Sequence, residues 1–415
     1  MTASEAHRTI DAVWRIESAR VIAGLARIVN DVGLAEELAQ DALVAALEQW
    51  PTEGVPRNPG AWLMATGKNR AIDFIRRQQT LKRKIEVLGH ELDPDGAEPM
   101  PDDPPEIDDD LLRLVFVSCH PILSTEARVA LTLRLLGGLT TDEIARAFLV
   151  PESTIAQRIV RAKRTLTKAE VPFEVPERAE LPARLASVLE VIYLVFNEGY
   201  SATAGDDWMR PTLCNEALRL GRVLVGLTPD EPEVHGLVAL MEIQASRSAA
   251  RVGPNGQPVL LLEQDRGRWD QLLIRRGLAA LNRAEELGGL VGSYALQAAI
   301  AACHARARTP EQTDWNRIAM LYQLLAQVVP SPVIELNRAV AISMAFGPAA
   351  GLEIVDELTR EPSLKTYHLL PSVRGDFLVK LGRLDEAREE FERAASLTRN
   401  SQERILLLNR AAACN

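Results

Sequence analysis

Apolar residues recur at three- and four-residue spacing along most of the chain, the period that lines one face of an α-helix, and sustained two-residue alternation is absent. Val259–Leu260–Leu261–Leu262 is the best strand candidate, and it is short. The expected fold class is therefore all-α. The sharpest local pattern begins at Thr140–Thr141–Asp142–Glu143, whose residues suit a capping box: Thr140 caps the helix and Glu143 reaches back to it. Ile144, Ala145 and Phe148 form the inner face of that helix. The chain turns through Leu149–Val150, and Pro151–Glu152 start a second helix, where a missing N–H and an early acid are both favourable. In the second helix Ile155, Ile159, Ala162 and Leu166 face inward, leaving Ser153, Thr154, Gln157, Arg158, Arg161 and Arg164 on the outside.

Two amphipathic segments precede this helix-turn-helix. Trp62 to Arg77 reads as one helix. Asp31 to Trp50 reads as a loop and a helix, with Leu34, Leu38 and Ala42 on one face and Leu43 and Leu47 on another. A helix with more than one apolar stripe either lies centrally in a bundle or meets a partner.

Composition marks the boundaries. Residues 85–110 hold eleven acids, five prolines and no Lys or Arg, which predicts an extended acidic linker. Pro172, Pro176 and Pro182 mark a second, shorter linker at 171–183. The chain has 415 residues, of which 47% are hydrophobic and 25% charged, enough apolar material for several cores, so global disorder is excluded.

Charge sharpens the picture. The net charge of −10 excludes a uniformly basic coat for nucleic acid, but not local basic patches. Residues 62–84 contain seven bases and one acid, a local charge of +6, just before the acidic linker. Ser153 to Lys168 contains five bases and no acids. A helix with that face suits the major groove, where Gln and Arg read base edges and the remaining bases meet phosphate. Trp62 is balanced between core packing and stacking on an unpaired base, whereas Phe74 reads as core.

The four cysteines, at 119, 214, 303 and 414, form no CxxC pair, so neither a zinc site nor a disulfide framework is expected. Free thiols suit a reducing cytosol. The first residues carry charges throughout, and no stretch reaches the length of a membrane span. A cytoplasmic protein without membrane association, cofactor, metal or catalytic residues is the expectation.

In the C-terminal half, residues 372–397 resemble a tetratricopeptide repeat: Gly375, Gly382, Ala387, Phe391 and Ala394 fall where a tight helix–turn–helix needs small residues or a ring. Asp314–Pro330 and Val333–Ala345 form a further candidate pair. The densest polar cluster there joins Phe196 to Ser201 with Asp206 to Arg210. An enzyme reading would use Glu198, Asp206 and Asp207 as acid, base or metal groups; a helix end at Gly199 with packed aromatics fits better.

AEELAQDALVAALEQW, then PGAWLMATGKNRAIDFIRR, then an acidic linker, then LTTDEIARAFLVPESTIAQRIVRAKRTL resembles the extracytoplasmic-function class of bacterial sigma factors over about residues 10–170. The resemblance implies core RNA polymerase and promoter DNA as partners. It places Leu34, Glu37, Leu38, Gln40, Asp41, Leu43 and Leu47 against polymerase. It places Trp62, Lys68, Asn69, Arg70, Asp73, Arg76 and Arg77 at the minus-10 element, and the outward residues from Ser153 to Arg164 at the minus-35 element. The implied layout is a region 2 domain at 1–84, the acidic linker at 85–110, a region 4 helix-turn-helix domain at 111–170, and a linker at 171–183. A helical extension at 184–290 and a tetratricopeptide-like domain at 291–415 follow. The resemblance also implies that such an extension regulates in cis, in place of a separate anti-sigma protein, and leaves contact between the C-terminal domain and the sigma domains of the same chain open. Two other readings stay open on the residues alone: a helix-turn-helix regulator that acts without polymerase, and a sensory enzyme in the C-terminal half.

Overall fold

The structure, a computed structural model, describes residues 3–89, 107–148, 150–177, 179–202, 204–205, 209–253 and 257–414, and the side chains of these except at 3–6, 81–89, 107–109 and 204–205. The chain divides into two compact units, residues 1–191 and 192–415.

The first unit begins with three helices that pack on one another, α1 (Ala3–Val29), α2 (Val32–Glu53) and α3 (Pro59–Gly89). Asp31 caps α2 by accepting from the Leu34 N–H at 2.8 Å. Glycines let α1 and α3 approach closely: a Cβ at Gly67 would stand 2.8 Å from a Leu25 methyl. Trp50 is buried at the end of the bundle. Then come α4 (Ile107–Ser118), α5 (Thr125–Leu135), α6 (Thr141–Phe148) and α7 (Glu152–Lys168). α4 lies on α1, while α5 and α6 hold α7.

The acidic linker is shorter than its composition suggested. α3 runs to Gly89 and α4 starts at Ile107, and residues 90–106 lie outside the described residues. Asp110 is buried because two arginines reach it, Arg113 at 2.9 Å and Arg27 at 3.1 Å.

α8 (Leu181–Tyr200) contributes its first half to the first unit, where Ser187 donates to the Cys119 carbonyl at 2.7 Å and Arg184 to the Phe116 carbonyl at 3.1 Å. The boundary at 191–192 therefore falls inside a helix rather than in the proline-marked segment 171–183.

The second unit contains a two-residue strand β1 (Ala204–Gly205), then α9 (Pro211–Leu227), α10 (Pro232–Ala245), α11 (Gln271–Gly288), α12 (Ser293–Arg306), α13 (Trp315–Val328) and α14 (Pro332–Phe346). It continues with α15 (Pro348–Leu358), α16 (Leu369–Lys380), α17 (Leu384–Leu397), a strand β2 (Arg399–Asn400) parallel to β1, and α18 (Ser401–Ala412). From α12 onward each helix packs on the next, as a tetratricopeptide-like array requires. Gly375 meets the Phe391 ring, where a Cβ would stand 2.8 Å away, and Gly382 turns the chain with φ +76°. Ala387, Phe391 and Ala394 are buried. The strand expected at Val259–Leu262 is not formed: a single 3₁₀ turn spans Leu261–Glu263, and Leu260 and Leu262 are exposed.

Candidate DNA-binding and polymerase-binding surfaces

The capping box at the start of α6 is reciprocal. The Thr140 N–H donates to Glu143 Oε2 at 2.8 Å, and the Glu143 N–H donates to Thr140 Oγ1 at 3.1 Å. Arg15 on α1 adds a bond to Glu143 at 2.6 Å. Burial would raise the Glu143 carboxyl, but the Thr140 bonds and the Arg15 and Arg146 charges outweigh it and hold it below its ordinary value.

α7 packs on α5 and α6 with Ile155, Ile159, Ala162 and Leu166 buried. Ser153, Gln157, Arg161 and Arg164 are exposed, and Thr154 and Arg158 half-buried. Val160, 45% exposed, belongs to the same stripe, three residues after Gln157 and four before Arg164. Polarity-based reading misses it; helical spacing would have found it. An apolar side chain there suits the methyl group of thymine.

On α3 the residues Lys68, Asn69, Asp73, Arg76 and Arg77 are exposed. Arg70 is half-buried and ion-paired with Asp41 of α2 at 3.1 Å, so it ties the two surfaces together. Trp62 is half-buried, its ring edge-on to Trp50 with centroids 5.3 Å apart, and Phe74 is half-buried as well. Lys82, Arg83 and Lys84 have side chains outside the described residues.

Along α2, Glu37, Asp41 and Val44 are exposed, and Leu34, Gln40, Leu43 and Leu47 half-buried. Leu38 corrects the expectation: it is 6% exposed and belongs with Ala35 and Ala42 on the inner stripe, because a helix central to the bundle buries its more apolar face. The sequence reading also missed Glu36, which is 2% exposed. Its carboxylate accepts from Arg134 of α5 and from Gln40, each at 2.6 Å, and is ion-paired with Lys163 of α7. Burial pushes the Glu36 carboxyl up, and the Lys163 and Arg134 charges and bonds reverse this and lower it. Thr167 of α7 also donates to Asp31 at 2.9 Å. The helix expected to face polymerase and the helix expected to face DNA are thus bonded to each other.

The polar cluster near Glu198 shows no catalytic constellation among the described residues. Glu198 is ion-paired with Arg210, and no group of three or more His, Cys, Asp or Glu is placed to hold a metal ion. Asp206, Asp207 and Trp208 lie outside the described residues. α8 ends at Tyr200, one residue past Gly199, and the start of α9 crosses at Gly199, where a Cβ would lie 2.5 Å from the Cys214 nitrogen. Cys119 is a packing residue, its thiol pushed up to about 11 by burial and 3.3 Å from Thr132 Oγ1.

The families described as sigma-70 region 2 and sigma-70, region 4 match residues 15–80 and 113–166, the segments that hold α3 and the helix-turn-helix. An ECF RNA polymerase sigma factor, SigK of Mycobacterium ulcerans, is 30% identical over 151 residues, 35% of this chain and 78% of that one. The chain belongs to the extracytoplasmic-function sigma factors. A probable ECF sigma factor, SigI of Mycobacterium tuberculosis, is 26% identical over 167 residues, 40% of this chain and 57% of that one. An uncharacterized protein of Rhizobium meliloti is 45% identical over 388 residues, 92% of this chain and 90% of that one, so the similarity runs through the extension as well. Part of the extension, residues 184–285, matches a family of unknown function. As a sigma factor this protein acts in transcription initiation, with core RNA polymerase and promoter DNA as partners, and sigma factor families are non-enzymatic. No helix among the described residues is long and apolar enough to cross a membrane.

Proposed function

We propose that this sigma factor reads the minus-35 element with the outward stripe of α7, engages the minus-10 element with the exposed stripe of α3, and docks on core polymerase through the exposed side of α2. One observation carries the assignment: α7 buries all four apolar residues of its inner face and leaves Ser153, Gln157, Val160, Arg161 and Arg164 exposed on a capped helix-turn-helix. On α3 the mixture of Lys68, Arg76 and Arg77 with Asn69 and Asp73 suits phosphate contact beside base recognition.

The first unit is then a closed form. Elements named minus-35 and minus-10 lie roughly 25 base pairs apart, about 85 Å along the duplex. Helices joined by Glu36–Lys163 and Asp31–Thr167 cannot reach both at once. Binding to core polymerase separates regions 2 and 4 by supplying each with its own docking surface. The C-terminal extension regulates this step in cis. A truncation that tests it must keep residues through 191, because Arg184 and Ser187 hold α8 to the carbonyls of Phe116 and Cys119.

The test is energy transfer between dyes at exposed positions of regions 2 and 4, such as Glu48 and Lys168, with and without core polymerase. High transfer in the free protein that drops on addition of core is the expected result. Unchanged transfer in a transcribing complex overturns the closed-form reading.

A further inference from the structure

The outer face of α13 carries an apolar stripe. Met320, Leu324 and Val328 stand four residues apart and are 56%, 42% and 47% exposed. Four-residue spacing puts them on one side of the helix. Ile318, Leu321 and Leu325 are buried in the core that α13 shares with α12 and with Leu281 of α11. Residues 318–334 contain no Asp, Glu, Lys or Arg, so no charge accompanies the stripe into solvent. An outer helix face ordinarily carries polar and charged side chains, and a contiguous apolar strip on it marks a surface that a partner covers.

The helices on either side are built differently. α11 and α13 both pack on α12, and α13 and α15 both pack on α14, so the three are alternate members of one array. Away from its buried residues Ile274, Gly277 and Leu281, α11 presents Arg275 and Arg276 in its second turn. Both are exposed, and neither is ion-paired among the described residues. Away from its buried residues Gly351, Leu352 and Val355, α15 presents Glu353 and Glu357 in its second and third turns. They too are exposed and not ion-paired among the described residues. The acids of α11, Glu285 and Glu286, lie in its last turns, past the eleven residues of α15.

Along the array the outer faces therefore read basic, apolar, acidic, and a surface in that order is complementary to itself. Alternate members of an array of helical hairpins run the same way. Turned about a two-fold axis that runs along α13, a second copy lays its stripe on the first, residue against like residue. Its α15 then meets α11 and its α11 meets α15, so both flanking contacts join opposite charges at matching turns. That self-matching is what an isologous dimer requires. A nucleic-acid duplex, negative throughout, would be repelled at Glu353 and Glu357.

We infer that two copies of this chain pair through the outer faces of α11, α13 and α15, with Leu324 at the two-fold axis and Arg275 and Arg276 of each copy facing Glu353 and Glu357 of the other. The pairing does not rest on the DNA and polymerase assignments, and it stands whether or not the extension regulates initiation.

The experiment is sedimentation equilibrium of the full chain over a range of concentrations, at low and high salt. A reversible monomer–dimer equilibrium is expected, weakened by salt because the flanking pairs are surface charges. Leu324→Glu sets two carboxylates against each other in an apolar seam and should weaken dimerisation by roughly a hundredfold or more. The double variant Arg275→Glu, Arg276→Glu and the double variant Glu353→Arg, Glu357→Arg should each lose dimerisation, since like charges then face each other. Mixed together the two should pair again, because both flanking contacts regain opposite signs. A folding defect cannot produce that restoration, so the mixture decides even where Leu324→Glu does not fold. A natural chain that stays monomeric, a dimer indifferent to folded Leu324→Glu and to both charge reversals, or a mixture that does not pair overturns the inference. A monomeric natural chain whose folded Leu324→Glu variant loses core polymerase gives the stripe to polymerase instead and overturns it as well.

Discussion

Lys163, on the helix proposed to read DNA, is ion-paired with Glu36, buried on the helix proposed to dock on polymerase. The same carboxylate accepts from Arg134. Removing one member of a buried ion pair leaves the others uncompensated and costs about 3–5 kcal/mol. Glu36→Gln should therefore loosen the region 2–region 4 contact, seen as lower energy transfer in the free protein. The folded-state value of Glu36 is lowered, so its contribution is present above the ordinary glutamate value and lost as pH falls through the folded one. The contact should hold at neutral pH and weaken below about pH 4. Glu36→Gln with unchanged transfer at neutral pH would show that the pair does not hold the two regions together.

Base discrimination is assigned to Gln157, Arg161 and Arg164, with Val160 at their centre. Gln157→Ala or Arg161→Ala should each lower promoter-specific initiation by roughly 5- to 150-fold, the equivalent of 1–3 kcal/mol per bidentate contact. Binding to core polymerase should be unchanged in pull-down. If these variants lose core binding instead, the stripe has been assigned to the wrong partner.

Arg76 and Arg77 are assigned to phosphate. Each phosphate contact contributes about 0.7–0.9 to the slope of log affinity against log salt. The Arg76→Ala, Arg77→Ala double variant should reduce that slope by roughly 1.4–1.8 for the holoenzyme on a promoter opened at the minus-10 element. An unchanged slope places both residues off the DNA.

The capping box should matter to stability more than to recognition. Thr140→Ala should cost about 1 kcal/mol, visible as a lower melting temperature. Glu143→Ala removes the Thr140 bonds and the Arg15 bond together and should cost at least as much. Equal melting temperatures for Thr140→Ala and the natural chain would mean the cap adds nothing.

Local pattern made part of this molecule legible in advance. The helix-turn-helix could be read because its cap, turn and inner stripe all lie within one short segment, and the inner residues Ile155, Ile159, Ala162 and Leu166 are buried as their spacing required. Gly382, Ala387, Phe391 and Ala394 were readable for the same reason. Glu36 was not, because an acid in an acidic helix gives no hint that Arg134 and Lys163, about a hundred residues on, will bury it. The polymerase-facing side of α2 was half legible, since two apolar stripes were visible but not which of them the bundle would cover.

With core RNA polymerase and nothing else, this chain should start transcription at defined sites. Purified full chain and core enzyme on genomic DNA, with start sites mapped by transcript sequencing, tests it directly. Discrete starts that share sequence at minus-35 and minus-10, absent with core alone and lost with Gln157→Ala and Arg161→Ala combined, are the predicted result. Starts identical to those of core alone would show that this chain supplies no promoter recognition.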